Sequence, residues 1–327
     1  MNRKVIKVLD THTEGMPTRV VLDGAPDFVG ATMNDKRVDF ENRFDDFRKL
    51  LVNEPRGHGA MSGAILLPPT IEEADFGVLY FEVSGCLPMC IHGTIGVATA
   101  IVSEKLLKLS YPETLIRLDT PAGLVEARVK VDKNFEPLSV TVKNVESFYI
   151  NQGVVTFGGR DLNYELSYGG NLYAIVDCKD LGVNLDAASS QELVKIGLEI
   201  IEVIEKVMAI PLRDEIKSYL LRHIILAEYG DGVNFKGATV IKPGWIDRSP
   251  CGTGTSAHLV ARAHKGFVEL GQSITSTSFI GSEFFGFLEL GSKPDNYFPY
   301  ITGRAWVMGR NEIYLYPTDI FPTGFVM

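Results

Sequence analysis

The chain carries one short pattern twice. Residues 88–100 read Pro-Met-Cys-Ile-His-Gly-Thr-Ile-Gly-Val-Ala-Thr-Ala, and residues 250–261 read Pro-Cys-Gly-Thr-Gly-Thr-Ser-Ala-His-Leu-Val-Ala. Each has a proline close before a cysteine, then a Gly-Thr pair, a small-residue turn and an apolar run. Ile95–Val102 is apolar on every side, and a helix apolar all round is a buried helix. It becomes amphipathic near Glu104 and Lys105. In the second run, Ala257, Leu259, Val260, Ala261 and Ala263 leave Arg262, His258 and His264 as the obvious polar positions, and both histidines are read as solvated. Gly266 is placed to stop that helix as its C′ residue. The duplication predicts two similar halves, each built on a buried helix with a cysteine at its mouth.

The rest of the pattern fits that plan. Strands are expected at Lys4–Leu9, Arg19–Leu22 and Val78–Val83, and a helix over roughly 37–52 from the spacing of Phe40, Phe44, Phe47 and Leu51. Leu115–Leu118, Leu124–Val131 and Ser139–Val145 alternate as half-buried strands do, with Pro121-Ala122-Gly123 as a turn. Asn171–Val176, His223–Ala227 and Ala238–Ile241 read as strands, and Leu193, Ile196, Ile200, Ile204 and Val207 mark an amphipathic helix. The segment from Ser273 to Tyr316 is mostly strand-like. Strands, buried helix and strands, then much the same again, is α+β rather than a regular βαβ alternation. The 327 residues, 45% hydrophobic, suffice for two cores. The division expected is 1–125 plus about 310–327 around Cys90, and 126–309 around Cys251.

Charge and cysteine usage exclude several classes. A net charge of -9 with no basic run longer than two residues argues against nucleic-acid binding, which needs clustered Lys and Arg. No stretch of about 18 apolar residues could span a bilayer. Lys7 and Asp10 interrupt any signal-peptide core, so a cytoplasmic protein is expected. Four cysteines, Cys86, Cys90, Cys178 and Cys251, are too few for a disulfide scaffold. They are buried, catalytic or metal-binding.

Two of them sit where chemistry is favoured. The first N–H groups of a helix lack intrahelical partners and attract anions, and a cysteine just before them should have a lowered pKa. One such thiol suggests a nucleophile. Two on matching halves suggest a pair facing each other across a cleft, with the helix ends holding a carboxylate. A thiolate that removes a proton from a stereocentre, opposite a thiol that returns one, gives racemisation or epimerisation; each acid/base group contributes about 10²–10⁴-fold. A metal site of Cys86, Cys90, His92 and His58 is a rival, but the spacing fits no zinc pattern. A Cys90–Cys251 disulfide would be an inactivated state. Gly252-Thr253-Gly254-Thr255-Ser256-Ala257 has the look of a dinucleotide fingerprint, yet a polar turn precedes it where a buried strand is required.

At this point the chain resembles the proline racemase family, which includes 4-hydroxyproline 2-epimerases and trans-3-hydroxyproline dehydratases. The resemblance rests on Asp10-Thr11-His12-Thr13-Glu14-Gly15, Asn53-Glu54-Pro55-Arg56-Gly57-His58-Gly59, Met89-Cys90-Ile91-His92-Gly93-Thr94-Ile95-Gly96 and Asp247-Arg248-Ser249-Pro250-Cys251-Gly252-Thr253-Gly254-Thr255. Gly169-Gly170-Asn171 and Phe321-Pro322-Thr323-Gly324-Phe325 match as well, so the likeness runs nearly the full length. It implies a fold similar to diaminopimelate epimerase: two pseudo-symmetric α/β domains, each a curled, mostly antiparallel sheet around a central helix, with the active site in the cleft between them. It implies no cofactor, a proline or hydroxyproline substrate, and is compatible with a homodimer. By position, Cys90 and Cys251 become the two acid/base residues. His92 and Asp247 come beside the substrate nitrogen and the thiols, and the amides of Gly93, Thr94, Gly252 and Thr253 hold the carboxylate. Asp247 also reads as a turn-former before Pro250. His223, opening a strand, is a candidate for a substrate hydroxyl. His58 lines the pocket or is a hydrogen-bonded structural histidine.

Within the family the dehydratases have Ser or Thr in place of one cysteine. Both thiols are present here, which favours an epimerase or racemase, and 4-hydroxyproline 2-epimerase ahead of proline racemase. The alternatives are a dehydratase, and a non-catalytic thiol sensor or binding protein. One position departs from the usual Met-Cys-Gly-His: this chain has Ile91. Either the family's glycine serves a positive φ that a β-branched residue disfavours, or it only leaves space that Ile91 fills.

Overall fold

The computed structural model describes residues 3–186, 188–208, 220–230 and 233–326. The chain groups into two units, one running to Lys143 and resumed from Thr302, the other Asn144–Ile301. The first contains β1 (Lys4–Thr13), β2 (Met16–Asp23), α1 (Met33–Arg43), α2 (Asp45–Val52), β3 (Ser62–Leu67), β4 (Phe76–Glu82), β5 (Gly85–Leu87), α3 (Ile91–Ser103), β6 (Glu113–Thr120), β7 (Gly123–Val131) and β8 (Pro137–Lys143). The second contains β9 (Ser147–Phe157), β10 (Arg160–Tyr168), β11 (Leu172–Asp177), α4 (Cys178–Leu181), α5 (Ser190–Val207), β12 (His223–Tyr229), β13 (Phe235–Ile241), β14 (Trp245–Ile246), α6 (Gly252–His264), β15 (Ile274–Ser278) and β16 (Glu283–Leu290), with β17 (Asn296–Gly303) running to its end. The last strand, β18 (Ala305–Leu315), belongs to the first unit, paired along the length of β1.

Strand pairing repeats from unit to unit. β1–β2 and β10–β11 are antiparallel; β2–β3 and β11–β12 are parallel. Parallel neighbours need a crossover connection, and α1–α2 in one unit and α4–α5 in the other lie on it. β4–β6 and β13–β15 are again parallel, and the crossovers there carry α3 and α6. Each central helix is therefore a crossover laid against its own mostly antiparallel sheet, the architecture expected. All residues of α3 from Ile91 to Val102 are buried, as are those of α6 from Gly252 to Ala261.

The two helices also stop alike. In α6 the Gly266 N–H bonds Ala263 O and the Phe267 N–H bonds Arg262 O, with Gly266 at φ 74. In α3 the Lys105 N–H bonds Val102 O and the Leu106 N–H bonds Ile101 O, with Lys105 at φ 52. Both are Schellman ends. Lys105 takes the left-handed position, so the amphipathic continuation expected near Glu104 does not form.

Three further expectations are corrected. The helix over 37–52 is two helices: Thr32 starts α1 early through a capping box with Asp35, and Phe44 leaves helical geometry at φ -133. There its ring meets Phe28 edge-on at 5.5 Å. The division lies at 143/144 and 301/302. A cut after 125 would fall inside β7, in the middle of the β6–β7–β8 meander, and one near 309 inside β18. His258 is 1% exposed, not solvated: its ring stacks on Phe235 at 3.7 Å and its Nε2 lies 3.0 Å from Tyr229 Oη.

Candidate active site

β5 delivers the chain to Cys90, which caps α3 in an extended conformation, φ -151 and ψ 106, with its Sγ accepting the Gly93 N–H at 3.3 Å. The thiol is 5% exposed. His92 lies beside it, Nδ1 at 3.4 Å and Nε2 at 3.6 Å from the sulfur. Near-equal distances to both nitrogens put the sulfur over the ring face rather than on one lone pair. His92 Nε2 is 2.9 Å from Ser62 Oγ, and Ser62 donates to Pro17 O at 2.6 Å. A carbonyl only accepts, so the Ser62 hydrogen goes there and His92 Nε2–H donates to Ser62. Thr94 Oγ1 donates to Cys90 O at 2.7 Å and receives the Tyr80 hydroxyl at 2.6 Å.

The second thiol is held differently. Asp247 Oδ1 accepts both the N–H and the hydroxyl of Ser249 at 2.9 Å, and Ser249 Oγ accepts the Cys251 N–H at 3.2 Å. This turn holds Cys251 at φ 59 and ψ 93, left-handed for a residue with a side chain. Such backbone costs about 1–3 kcal/mol and concentrates at functional sites. The sequence reading of Asp247 as a turn-former is thus visible directly. Cys251 Sγ lies 3.3 Å from Tyr173 Oη, and Tyr173 Oη lies 2.6 Å from Thr253 Oγ1. Burial first, and then the Asp247 charge, push the Cys251 thiol up to about 12, against the smaller pull of Tyr173, the Gly254 amide and Thr239. The lowered pKa expected from the helix end is overruled here, because desolvating a thiolate outweighs the donors around it.

The amides also depart in part from expectation. The Gly93 N–H points at Cys90 Sγ, and the Thr94 N–H bonds Cys90 O at 2.8 Å. In α6 the equivalent intrahelical bond is Thr255 N–H to Cys251 O at 2.7 Å, so Gly252 and Thr253 occupy the first turn ahead of it. Ile91 is the first residue of α3, 1% exposed, and is not among the positive-φ positions. The position therefore needs no glycine for its backbone.

His223 opens β12 in register with Tyr173, their rings 4.9 Å apart. It is 4% exposed, is bonded to the Leu172 backbone, and its Nδ1 has no partner among the described residues. Burial, with Arg222, brings its pKa down to about 3, so the ring is neutral. His58 is exposed in the loop before β3, its Nδ1 accepting the Ala60 N–H at 3.3 Å. Other matched motifs are scaffolding. Asp10 holds Arg19 through two bonds, and Arg19 holds Leu51 O and Arg56 O at the end of α2. Thr13 Oγ1 donates to His92 O at 2.8 Å, tying the first hairpin to the start of α3. Tyr173 and Ser62 escape sequence reading, since nothing local marks a strand residue as the neighbour of a distant cysteine or histidine. Among the described residues no cluster of three or more His, Cys, Asp or Glu is arranged to hold a metal, and none of the four cysteines is joined in a disulfide. No helix among them is long and apolar enough to cross a membrane.

Comparison with known proteins adds chemistry to this geometry. The family model described as proline racemase matches residues 8–326. The chain is 45% identical to a 4-hydroxyproline 2-epimerase of Streptosporangium roseum, over 99% of both chains. It is 35% identical to a proline racemase of Acetoanaerobium sticklandii, again over 99% of each. The crystal structure of a hydroxyproline epimerase from Agrobacterium vitis, with bound trans-4-hydroxy-L-proline, superposes with a TM-score of 0.92 at 29% identity, covering 99% of this chain and 96% of that one.

Proposed function

Because the chain belongs to the proline racemase family, we propose that it is a cofactor-independent isomerase that inverts the α-carbon of a proline-type imino acid, trans-4-hydroxy-L-proline before proline. The observation that carries this reading is the duplicated thiol. Cys90 and Cys251 each occupy the N-cap of a central helix that is buried from its first residue to Val102 or Ala261, in units with the same strand pairing. One thiolate takes the α-proton; the other thiol, still protonated, delivers a proton to the opposite face. The Cα–H bond breaks, its electron pair stays on the substrate, and the helix-end amides stabilise the charge that develops on the carboxylate. Gly252 and Thr253 supply such amides in α6; Gly93 and Thr94 do so in α3 as their bonds to Cys90 loosen. His92 and Asp247 face the ring nitrogen.

The preference for a hydroxylated ring rests on the 45% identical relative and on His223. Its buried Nδ1, without a partner among the described residues, rewards a ligand that offers it a hydroxyl and penalises one that lacks it. The reading places the enzyme in the cytoplasm, where thiols stay reduced, with a small molecule as its only required partner and a homodimer as the assembly.

The test is incubation with trans-4-hydroxy-L-proline, L-proline and trans-3-hydroxy-L-proline in deuterated water, followed by polarimetry and NMR. Epimerisation fastest on the first, with deuterium at the α-carbon of product, is expected. Cys90→Ser and Cys251→Ser should each lower interconversion by at least about 10²-fold. Near-wild-type interconversion by either variant would defeat the two-thiol reading. A cyclic imine from trans-3-hydroxy-L-proline would make the protein a lyase.

A further inference from the structure

The two thiols are not equivalent in their surroundings, and one difference is the phenol hydroxyl beside Cys251 Sγ. Thr253 Oγ1 accepts from Asn171 Nδ2 at 3.4 Å and lies 2.6 Å from Tyr173 Oη. With Cys251 as a thiolate its sulfur can only accept, so the Tyr173 hydroxyl hydrogen is committed to it and Thr253 sends its own hydrogen to Tyr173 Oη. Tyr173 then directs its hydrogen at Cys251 Sγ, 3.3 Å away. The three groups form a chain of donors, Asn171 to Thr253 to Tyr173, that ends on sulfur. In the other unit the tyrosine beside the corresponding glycine, Tyr80, comes from β4, the counterpart of β13 rather than of β11, and its hydroxyl is used otherwise. Tyr80 donates to Thr94 Oγ1, and Thr94 donates to the carbonyl of Cys90, so that chain ends on backbone. Both phenols are fully buried and lean on the glycine three residues after the cysteine. A Cβ on Gly93 would meet Tyr80, and one on Gly254 would meet Tyr173, each at 3.2 Å.

We propose that Tyr173 stabilises the Cys251 thiolate, so that it sets how often this thiol is available as the base and how readily it yields its proton. This rests on the two-thiol reading above. The phenol stays an O–H donor throughout: burial and the nearby thiol raise its pKa well above the ordinary value, so it is no proton source itself. In the step it assists, the substrate Cα–H bond breaks, its electron pair stays on carbon, and the proton joins Sγ. Tyr173 keeps its own proton. In the reverse step the S–H bond breaks while the same hydrogen bond strengthens onto the sulfur that becomes anionic. A donor aimed at a developing charge counts for more than one aimed at a neutral atom.

The test separates the two thiols by their half-reactions. Exchange of the substrate α-proton into deuterated water is followed by NMR in the Cys90→Ser background, where only Cys251 acts, and in the Cys251→Ser background, where only Cys90 acts. Tyr173→Phe is expected to slow exchange through Cys251 by roughly 10–100-fold and to leave exchange through Cys90 unchanged. In the otherwise wild-type enzyme it should lower kcat/KM equally in both directions, because the equilibrium constant ties them. Site-specific 3-fluorotyrosine at position 173, a stronger donor of nearly the same shape, should speed exchange through Cys251 by about twofold even if Tyr173→Phe folds poorly. Equal slowing through both thiols would reduce Tyr173 to a packing residue and overturn the proposal, as would unchanged exchange through Cys251 with either substitution. If Cys251→Ser keeps full interconversion, it is the two-thiol reading that fails.

Discussion

Two histidines in the unit that carries Cys251 are buried as neutral rings, and acid should act on the fold through them. His223 is 4% exposed and His258 1%. Burial, with Arg222 beside the first and Arg262 beside the second, lowers both pKa values to about 3. In the unfolded chain each returns to about 6.5. The folded pKa lies below the unfolded one, so as pH falls the unfolded chain takes up protons first. The stability these rings allow is complete above pH 6.5 and drains away between about 6.5 and 3. Each ring costs about 1.4 kcal/mol per pH unit in that window. Two rings over the two units from pH 6.5 to 4.5 remove roughly 5 kcal/mol, the size of the whole stability of many domains. Urea unfolding at pH 7, 6, 5 and 4.5 measures this, followed by the fluorescence of Trp245, which lies in the same unit; a Trp306→Phe background removes the other tryptophan. His258→Phe keeps a ring on Phe235 and gives up the bond to Tyr229. It should cost about 1 kcal/mol at pH 7 and halve the acid slope. A urea midpoint that holds steady from pH 6.5 to 4.5, or a full slope in the variant, would refute the reasoning.

Two substitutions probe the helix mouths. Ile91→Gly deletes a side chain buried at the first position of α3 and should cost about 3–5 kcal/mol in urea unfolding; a loss under about 1 kcal/mol would show that Ile91 packs against little. Gly169→Ala would set a Cβ 2.2 Å from Thr253 O and 2.5 Å from Ala257 N, so the first turns of α6 must move. It should lower both stability, by about 2 kcal/mol or more, and kcat for hydroxyproline epimerisation; wild-type values of both would contradict the close approach.

Local features were the ones legible in advance. Gly266 was readable as a stop for α6 because the left-handed residue of a Schellman end is chosen by its own backbone. The apolar run after Cys90 announced a buried helix because no face of it could tolerate water. The cysteines were readable as a pair because the pattern around each is short and nearly complete. Phe44 shows the limit: its spacing fits one long helix, yet packing on Phe28 is available only if the backbone breaks there. His258 shows it again, since a polar residue in an apolar helix reads as the solvent side until Phe235 and Tyr229, from β13 and β12, arrive to cover it.

By itself the sequence determined that there are two halves, that each centres on a buried helix with a thiol at its start, and that the chain belongs with enzymes that invert proline-type carbons. The first two follow from short-range chemistry, namely periodicity, glycine placement and the residues next to each cysteine; the third follows from the resemblance of its motifs to the proline racemase family. Only the tertiary structure decided what each thiol feels. β11 pairs with β12 and lies under α6, which brings Tyr173 to Cys251 and seals His223 away from water. Desolvation depends on what covers a group from every side, and those neighbours come from distant parts of the chain. That is why the helix end alone promised an easily ionised thiol, while burial in the folded protein pushes the Cys251 thiol the other way.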